Sequence, residues 1–153
     1  MNKYLLLVTC LLCSVWATAQ VEQLPLMPYP QTVERQQGQW VLGETLNYAV
    51  DGKKTTAIKM LLKQFSIRVK QQTGKTLQLK ETAIPKAQFV IRIDNTQAIS
   101  NQIDDWNEAY QLRITAAKIE LNAKQLMGAQ RGIETLLQLI GTAPTITLPL
   151  VSI

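Results

Sequence analysis

Histidine is absent from the 153-residue sequence, and both cysteines, Cys10 and Cys13, fall within its first twenty residues. The missing histidine removes the usual general base and the commonest metal ligand. That opening stretch has a positive start at Lys3, an apolar run from Tyr4 to Trp16, and a small-x-small site at Ala17-Thr18-Ala19. It reads as a secretory signal peptide over residues 1–19, too short in its apolar part for a comfortable membrane span. Cleavage after Ala19 takes both cysteines with it. The mature chain, 20–153, then has no disulfide, no zinc-thiolate site and no thiol nucleophile. At 153 − 19 = 134 residues it suits one domain that builds a core without staples.

Aromatic residues are also few, at 6%. The formal charge of +5 becomes +4 without Lys3, and the cations are spread from Lys53 to Lys124 with no aromatics interleaved to stack on bases. Nucleic acid is therefore not an expected partner, nor is a membrane once the leader is gone. No repeat and no low-complexity linker interrupts the chain.

What is present reads as alternating short strands and two helices. Pro25, Pro28 and Pro30 make an extended lead-in, since proline fixes φ and donates no hydrogen bond. Short strands follow over Gln39–Gly43 and Leu46–Val50. Ile58, Leu61, Leu62, Phe65 and Val69 recur at helical spacing and predict a helix from Thr55 to Thr73, stopped by Gly74. Period-2 alternation marks strands over Leu77–Glu81 and Phe89–Asp94. It also marks a hairpin, in which Tyr110, Leu112 and Ile114 turn around Ala116-Ala117 into Ile119 and Leu121. A second helix spans Gln125–Ile140, and the tail from Thr145 is a last strand or an extended exit. The expected class is α+β: a two-layer sandwich, mostly antiparallel, with both helices on one face.

The second helix carries the most information. Leu126, Ala129, Ile133, Leu136, Leu137 and Ile140 form its apolar side, while Arg131, Glu134 and Gln138 lie opposite, with Arg131 placed to pair with Glu134. Gly128, Gly132, Thr135 and Leu139 make a further strip. Glycine costs about 1 kcal/mol against alanine inside a helix, so a close approach is implied. Either the helix sits tightly on its own sheet, or a second partner covers the strip. In the latter case the four residues are a domain-docking surface, partly exposed in this chain alone, and Gly132→Leu leaves its melting temperature little changed.

The stretch from Gly128 to Leu139, "GAQRGIETLLQL", resembles the pattern near the end of the N-terminal domain of family 20 glycoside hydrolases, the β-N-acetylhexosaminidases and chitobiases. Gly128, Arg131, Gly132, Glu134, Thr135, Gln138 and Leu139 match it. "EAYQLRI", with Glu108, Tyr110, Leu112 and Ile114, resembles the family's hairpin, and Pro28, Pro30 and Gln31 its proline-rich opening. The domain ahead of family 84 enzymes is similar. The resemblance implies a non-catalytic domain whose partner is a catalytic (β/α)₈ barrel, on the same or a separate chain. Such barrels use an adjacent Asp-Glu pair and the substrate's own acetamido oxygen. This sequence contains no Asp-Glu dipeptide, so no catalytic residue, cofactor or metal ligand is assigned. Asp104, Asp105 and Glu108 beside Trp106 read as a solvated loop with a tucked indole. A free-standing carbohydrate-binding or protein-interaction module remains the alternative to an enzyme's accessory domain. The leader makes one outcome measurable: the mature exported chain begins at Gln20, and a mass spectrum retaining residues 1–19 contradicts it.

Overall fold

The computed structural model describes residues 23–52, 54–95, 106–141 and 145–153. The stretch 1–19 read as a leader, Asp104 and Asp105 lie outside these. Seven strands are present among them: β1 (Glu34–Val41), β2 (Thr45–Asp51), β3 (Gln78–Glu81), β4 (Phe89–Asn95), β5 (Tyr110–Ile114), β6 (Ile119–Gln125) and β7 (Thr147–Ser152). Helix α1 (Thr56–Thr73) lies between β2 and β3, and α2 (Leu126–Leu139) between β6 and β7. The strands form one sheet in the order β1-β7-β5-β6-β4-β2-β3.

Both helices pack on one face of the sheet, the expected α+β sandwich. Pairing is antiparallel from β1 through β7 and β5 to β6, and parallel from β6 through β4 and β2 to β3. Each helix is a crossover: α1 carries β2 to its parallel neighbour β3, and α2 carries β6 across β5 to β7 in the antiparallel half. The two crossovers travel in opposite directions over the same face, so they have opposite hands. Two right-handed crossovers would have put the helices on opposite faces.

The core follows from period 2 meeting period 3.6. Phe89, Ile91 and Ile93 of β4 stand beside Ile119, Leu121 and Ala123 of β6, which stand beside Ile114, Leu112 and Tyr110 of β5. These rows meet Ile58, Leu62, Phe65 and Val69 of α1 and Ala129, Ile133, Leu136 and Leu137 of α2. Phe65 and Phe89 join the layers with ring centroids 6.2 Å apart, tilted by 57°. Each such buried side chain contributes about 1.5–3 kcal/mol. Thr55 caps α1 by accepting the Ile58 N–H, and Gly74 at φ 74° ends it in the left-handed region. On the open face, the turn at Ile84–Lys86 crosses β2, and Ala87 packs on Ala49 and Val90.

Several boundaries differ from expectation. β1 starts at Glu34, not Gln39, because it pairs with β7 through an irregularity between Arg35 and Gln39, where Gly38 adopts φ 106°. β6 runs to Gln125 and passes into α2 without a turn. The tail is a strand despite Pro149. Along β7, residue 148 bonds toward β1 and residue 149 toward β5, and β5 has already turned away at Ile114. The missing N–H of Pro149 therefore costs no ladder bond.

Candidate functional site

The strip of Gly128, Gly132, Thr135 and Leu139 faces inward. Gly128 and Gly132 are buried, and Thr135 and Leu139 are only 8% and 5% exposed. A Cβ on Gly128 would overlap the Ala109 carbonyl oxygen and fall 3.1 Å from its carbon and 3.2 Å from Ala123 Cβ. A Cβ on Gly132 would overlap Leu121 Cδ1 and lie 3.2 Å from Tyr110 Cδ2. The expectation of an exposed docking strip is thus corrected. The glycines seat α2 on its own hairpin, and the close approach they signal is internal.

The rest of the helix motif fastens the same element. Arg131 donates twice to Glu108, from Nη2 to Oε1 at 2.9 Å and from Nε to Oε2 at 3.1 Å. Its expected pairing with Glu134 is replaced, because Glu134 meets Arg68 of α1 instead. The hydroxyls of Tyr110 and Thr135 are hydrogen-bonded at 2.6 Å. Gln138 clamps the lead-in, its amide nitrogen donating to the Met27 carbonyl at 2.8 Å and its Oε1 accepting the Met27 N–H at 2.7 Å. From α1, Gln72 donates to the carbonyls of Leu137 and Ile140 and closes the end of α2.

The spacing has a geometric reason. Two residues along a strand rise about 6.8 Å, and four along a helix about 6 Å. Glu108 and Tyr110 on one side, Arg131 and Thr135 on the other, therefore make two rungs of one ladder. α2 reverses the direction of β6, so it runs along β5, and both rungs close in order. These pairings, and the joining of the two helices through Arg68 and Glu134, escaped the sequence reading. The matched spacings were the available signal.

Chemically the site holds ion pairs and a clamp. Arg131 holds the Glu108 carboxyl below the usual glutamate range, chiefly through its hydrogen bonds. Glu120 is also held low, by hydrogen bonds from Lys118 and then Arg92. Neither shift suits a proton donor near neutrality. Trp106 is 41% exposed. Among the described residues no group of three His, Cys, Asp or Glu side chains is placed to hold a metal, and no helix is long and apolar enough to cross a membrane. A cleft of about 1380 Å³ opens beside the ladder, between the lead-in from Met27 to Thr32, the start of β5, the outer side of α2, and Ser152-Ile153.

The family model for glycosyl hydrolase family 20, domain 2, matches residues 23–153. The chain belongs to this family. The fold is similar to the chitobiase of Flavobacterium johnsoniae, with a TM-score of 0.72 at 30% identity, over 88% of this chain and 21% of that one. It is similar to the family 20 exo-β-N-acetylglucosaminidase of Vibrio harveyi, with a TM-score of 0.63 at 20% identity, over 85% of this chain and 18% of that one. The fold also matches CpGH84D, with a TM-score of 0.64 at 17% identity, over 86% of this chain and 24% of that one. No curated protein matches. The chain spans about a fifth of the length of the solved proteins it resembles.

The ladder has consequences for stability and for titration. Gly128→Ala destabilises this chain by about 1–3 kcal/mol in thermal or denaturant melts, since the clash is with backbone. Gly132→Leu also lowers the melting temperature, where an exposed strip would leave it unchanged. Gly132→Ala costs less than Gly128→Ala, because the tip of Leu121 can give and about 1 kcal/mol of helix propensity is recovered. Separately, the Glu108 carboxyl titrates below the usual glutamate range by NMR, and Arg131→Gln returns it there. Because its folded pKa is depressed, the stability it contributes is present above the unfolded glutamate pKa and is lost as pH falls through the folded value. An unchanged titration in the variant refutes the pair.

Proposed function

We propose that this chain is the non-catalytic N-terminal domain of an exported β-N-acetylhexosaminidase, where it packs against and supports a (β/α)₈ barrel that hydrolyses terminal N-acetylhexosamine residues. The single observation that carries the reading is the family match: the domain-2 model takes up residues 23–153 in full. The arrangement of the molecule supports an accessory role, because its motif residues are spent on internal fastening. Export to the periplasm or the exterior rests on the leader over residues 1–19.

The surface offered to the barrel is the outer side of the helix layer and the lead-in. Met60 is 63% exposed there, Ile67 38%, and Met27, held on α2 by Gln138, 83%. The opposite face of the sheet instead carries Asp51, Arg92, Glu120 and Lys118 in a connected ion-pair network. Lys59, Lys63, Arg68 and Lys70 are exposed on the helix side as well, so the apolar side chains there, and not a lack of charge, mark the surface.

The test has two arms. The chain alone releases no chromophore from an aryl N-acetylglucosaminide, and removal of the domain from the longer enzyme shortens the barrel's half-life at elevated temperature. Turnover by the chain alone, or a barrel indifferent to the deletion, overturns the proposal. Retention of chito-oligosaccharide by the isolated chain would replace it with a carbohydrate-binding role.

A further inference from the structure

The charge of the chain is carried unevenly. Residues 54–86, which include α1, β3 and the Ile84–Lys86 turn, hold eight lysines and arginines against a single acid, Glu81. The formal charge of +5 is therefore +7 on this segment and −2 on the remainder. Two of these cations are used internally: Lys54 meets Glu81, and Arg68 meets Glu134 of α2. The other six, Lys59, Lys63, Lys70, Lys75, Lys80 and Lys86, are exposed and have no ion-pair partner among the described residues. At about 100° per residue, Lys59, Lys63 and Lys70 fall within about 40° of one another on α1 and span roughly 16 Å of its length. Ser66, beside them on the helix, donates to the Leu77 carbonyl just before β3, while Arg68 reaches α2 from the opposite flank. This rail therefore runs along the side of α1 nearest the end of the sheet, where β3 is the last strand. Lys75 follows Gly74 at the end of the rail. Lys80 stands opposite Asn47 on the other face of the sheet, and Lys86 lies on the turn that crosses that face.

We infer that this cationic rim is a docking surface for an acidic polysaccharide, a linear chain of sugars bearing carboxylates or sulfates. The cations lie on the outside of a helix and around the edge of a sheet, and none of them lines the cleft beside the ladder, so they do not enclose a small anion. Phe65 is the only aromatic residue of the segment and is buried, which leaves no ring for bases or neutral sugars to stack on. The lysines stand on both sides of the β3 edge, which a flexible polymer can wrap and a flat lipid surface cannot. All six are point charges that meet an anion from many directions, without the fixed fork geometry of arginine. The rail parallels the helix axis, so a linear polyanion laid along it meets successive ammonium groups in turn. Such a surface raises the protein's concentration on an acidic matrix, with a strength set by salt. The inference goes beyond the accessory-domain reading and uses a different surface. Met60 and Ile67 point away from the sheet, between the lysine flank and Arg68, and are left to the barrel.

The test uses this chain with polygalacturonate and with its fully methyl-esterified form, which share a backbone and differ in charge. One variant combines Lys59→Gln, Lys63→Gln and Lys70→Gln. A control combines Arg35→Gln, Arg113→Gln and Lys124→Gln, three exposed cations outside the segment, and lowers the net charge equally. The expected result is that the chain binds polygalacturonate at low ionic strength, releases it as salt rises, and ignores the esterified polymer. The rail variant binds at least about tenfold more weakly at an unchanged melting temperature, and the control stays within about threefold of the parent. In an NMR titration of the parent chain with a short oligogalacturonate, amide shifts gather at residues 59–70, 75 and 80. Equal weakening in both variants reports diffuse attraction to a basic protein and overturns the site. So does binding of the esterified polymer, or no binding at low salt. Retention on phosphatidylglycerol vesicles that the rail variant loses, with no binding of the polymer, assigns the rim to a lipid surface and also overturns it. Failure here leaves the hydrolase-domain reading untouched, since that reading stands or falls on the hydrolysis and deletion experiments.

Discussion

The close approach of α2 to the β5–β6 hairpin is the constraint on which the other features depend. It requires two glycines, each costing about 1 kcal/mol of helix propensity. In return Ile133 and Leu136 reach a fully covered sheet, and each adds about 1.5–3 kcal/mol of burial. Across this approach the 2.6 Å bond between Tyr110 and Thr135 and the bidentate pair between Glu108 and Arg131 both close. The helix is thus a fastened part of the sheet. Through Arg68 and Glu134, and through Gln72 on the end of α2, it also sets where α1 lies.

The two sides of the sheet are finished differently. The sheet's open face spends its charge laterally, with Arg92 of β4 bridging Asp51 of β2 and Glu120 and Asn122 of β6. The helix side keeps Met60, Ile67 and Met27 in solvent. An interior bound by the glycine ladder has no strip left to offer a neighbouring domain, so an interface must use what lies outside it. The cleft ahead of Ile153 stands on this side too, where the lead-in, α2 and the last strand converge.

Much of the fold was legible. The stripe of Ile58, Leu62, Phe65 and Val69 located α1 to within a residue of its ends, and Thr55 and Gly74 stand where cap chemistry puts them. The alternation from Tyr110 to Leu121 identified the hairpin. The parallel half of the sheet was not legible, because period 2 reports which residues face the core and says nothing of which strand lies alongside. Nor was the start of β1: its exposed, polar residues carry no apolar alternation, and an edge strand shielded by a bulge needs none.

For the site, the sequence by itself determined that something approaches Gly128 and Gly132, and that the helix motif and the hairpin motif belong together in one family of domains. It determined the chemistry at hand: no histidine, cysteines only at Cys10 and Cys13, and acids and bases suited to pairing. Only the tertiary structure decided what approaches, and which charge meets which. Arg131 has Glu134 three residues away, yet its bidentate partner is Glu108, twenty-three residues back. Periodicity encodes the face on which a side chain lies. The partner on that face is set by which strand the crossover lays beneath the helix, and that is a property of the whole sheet.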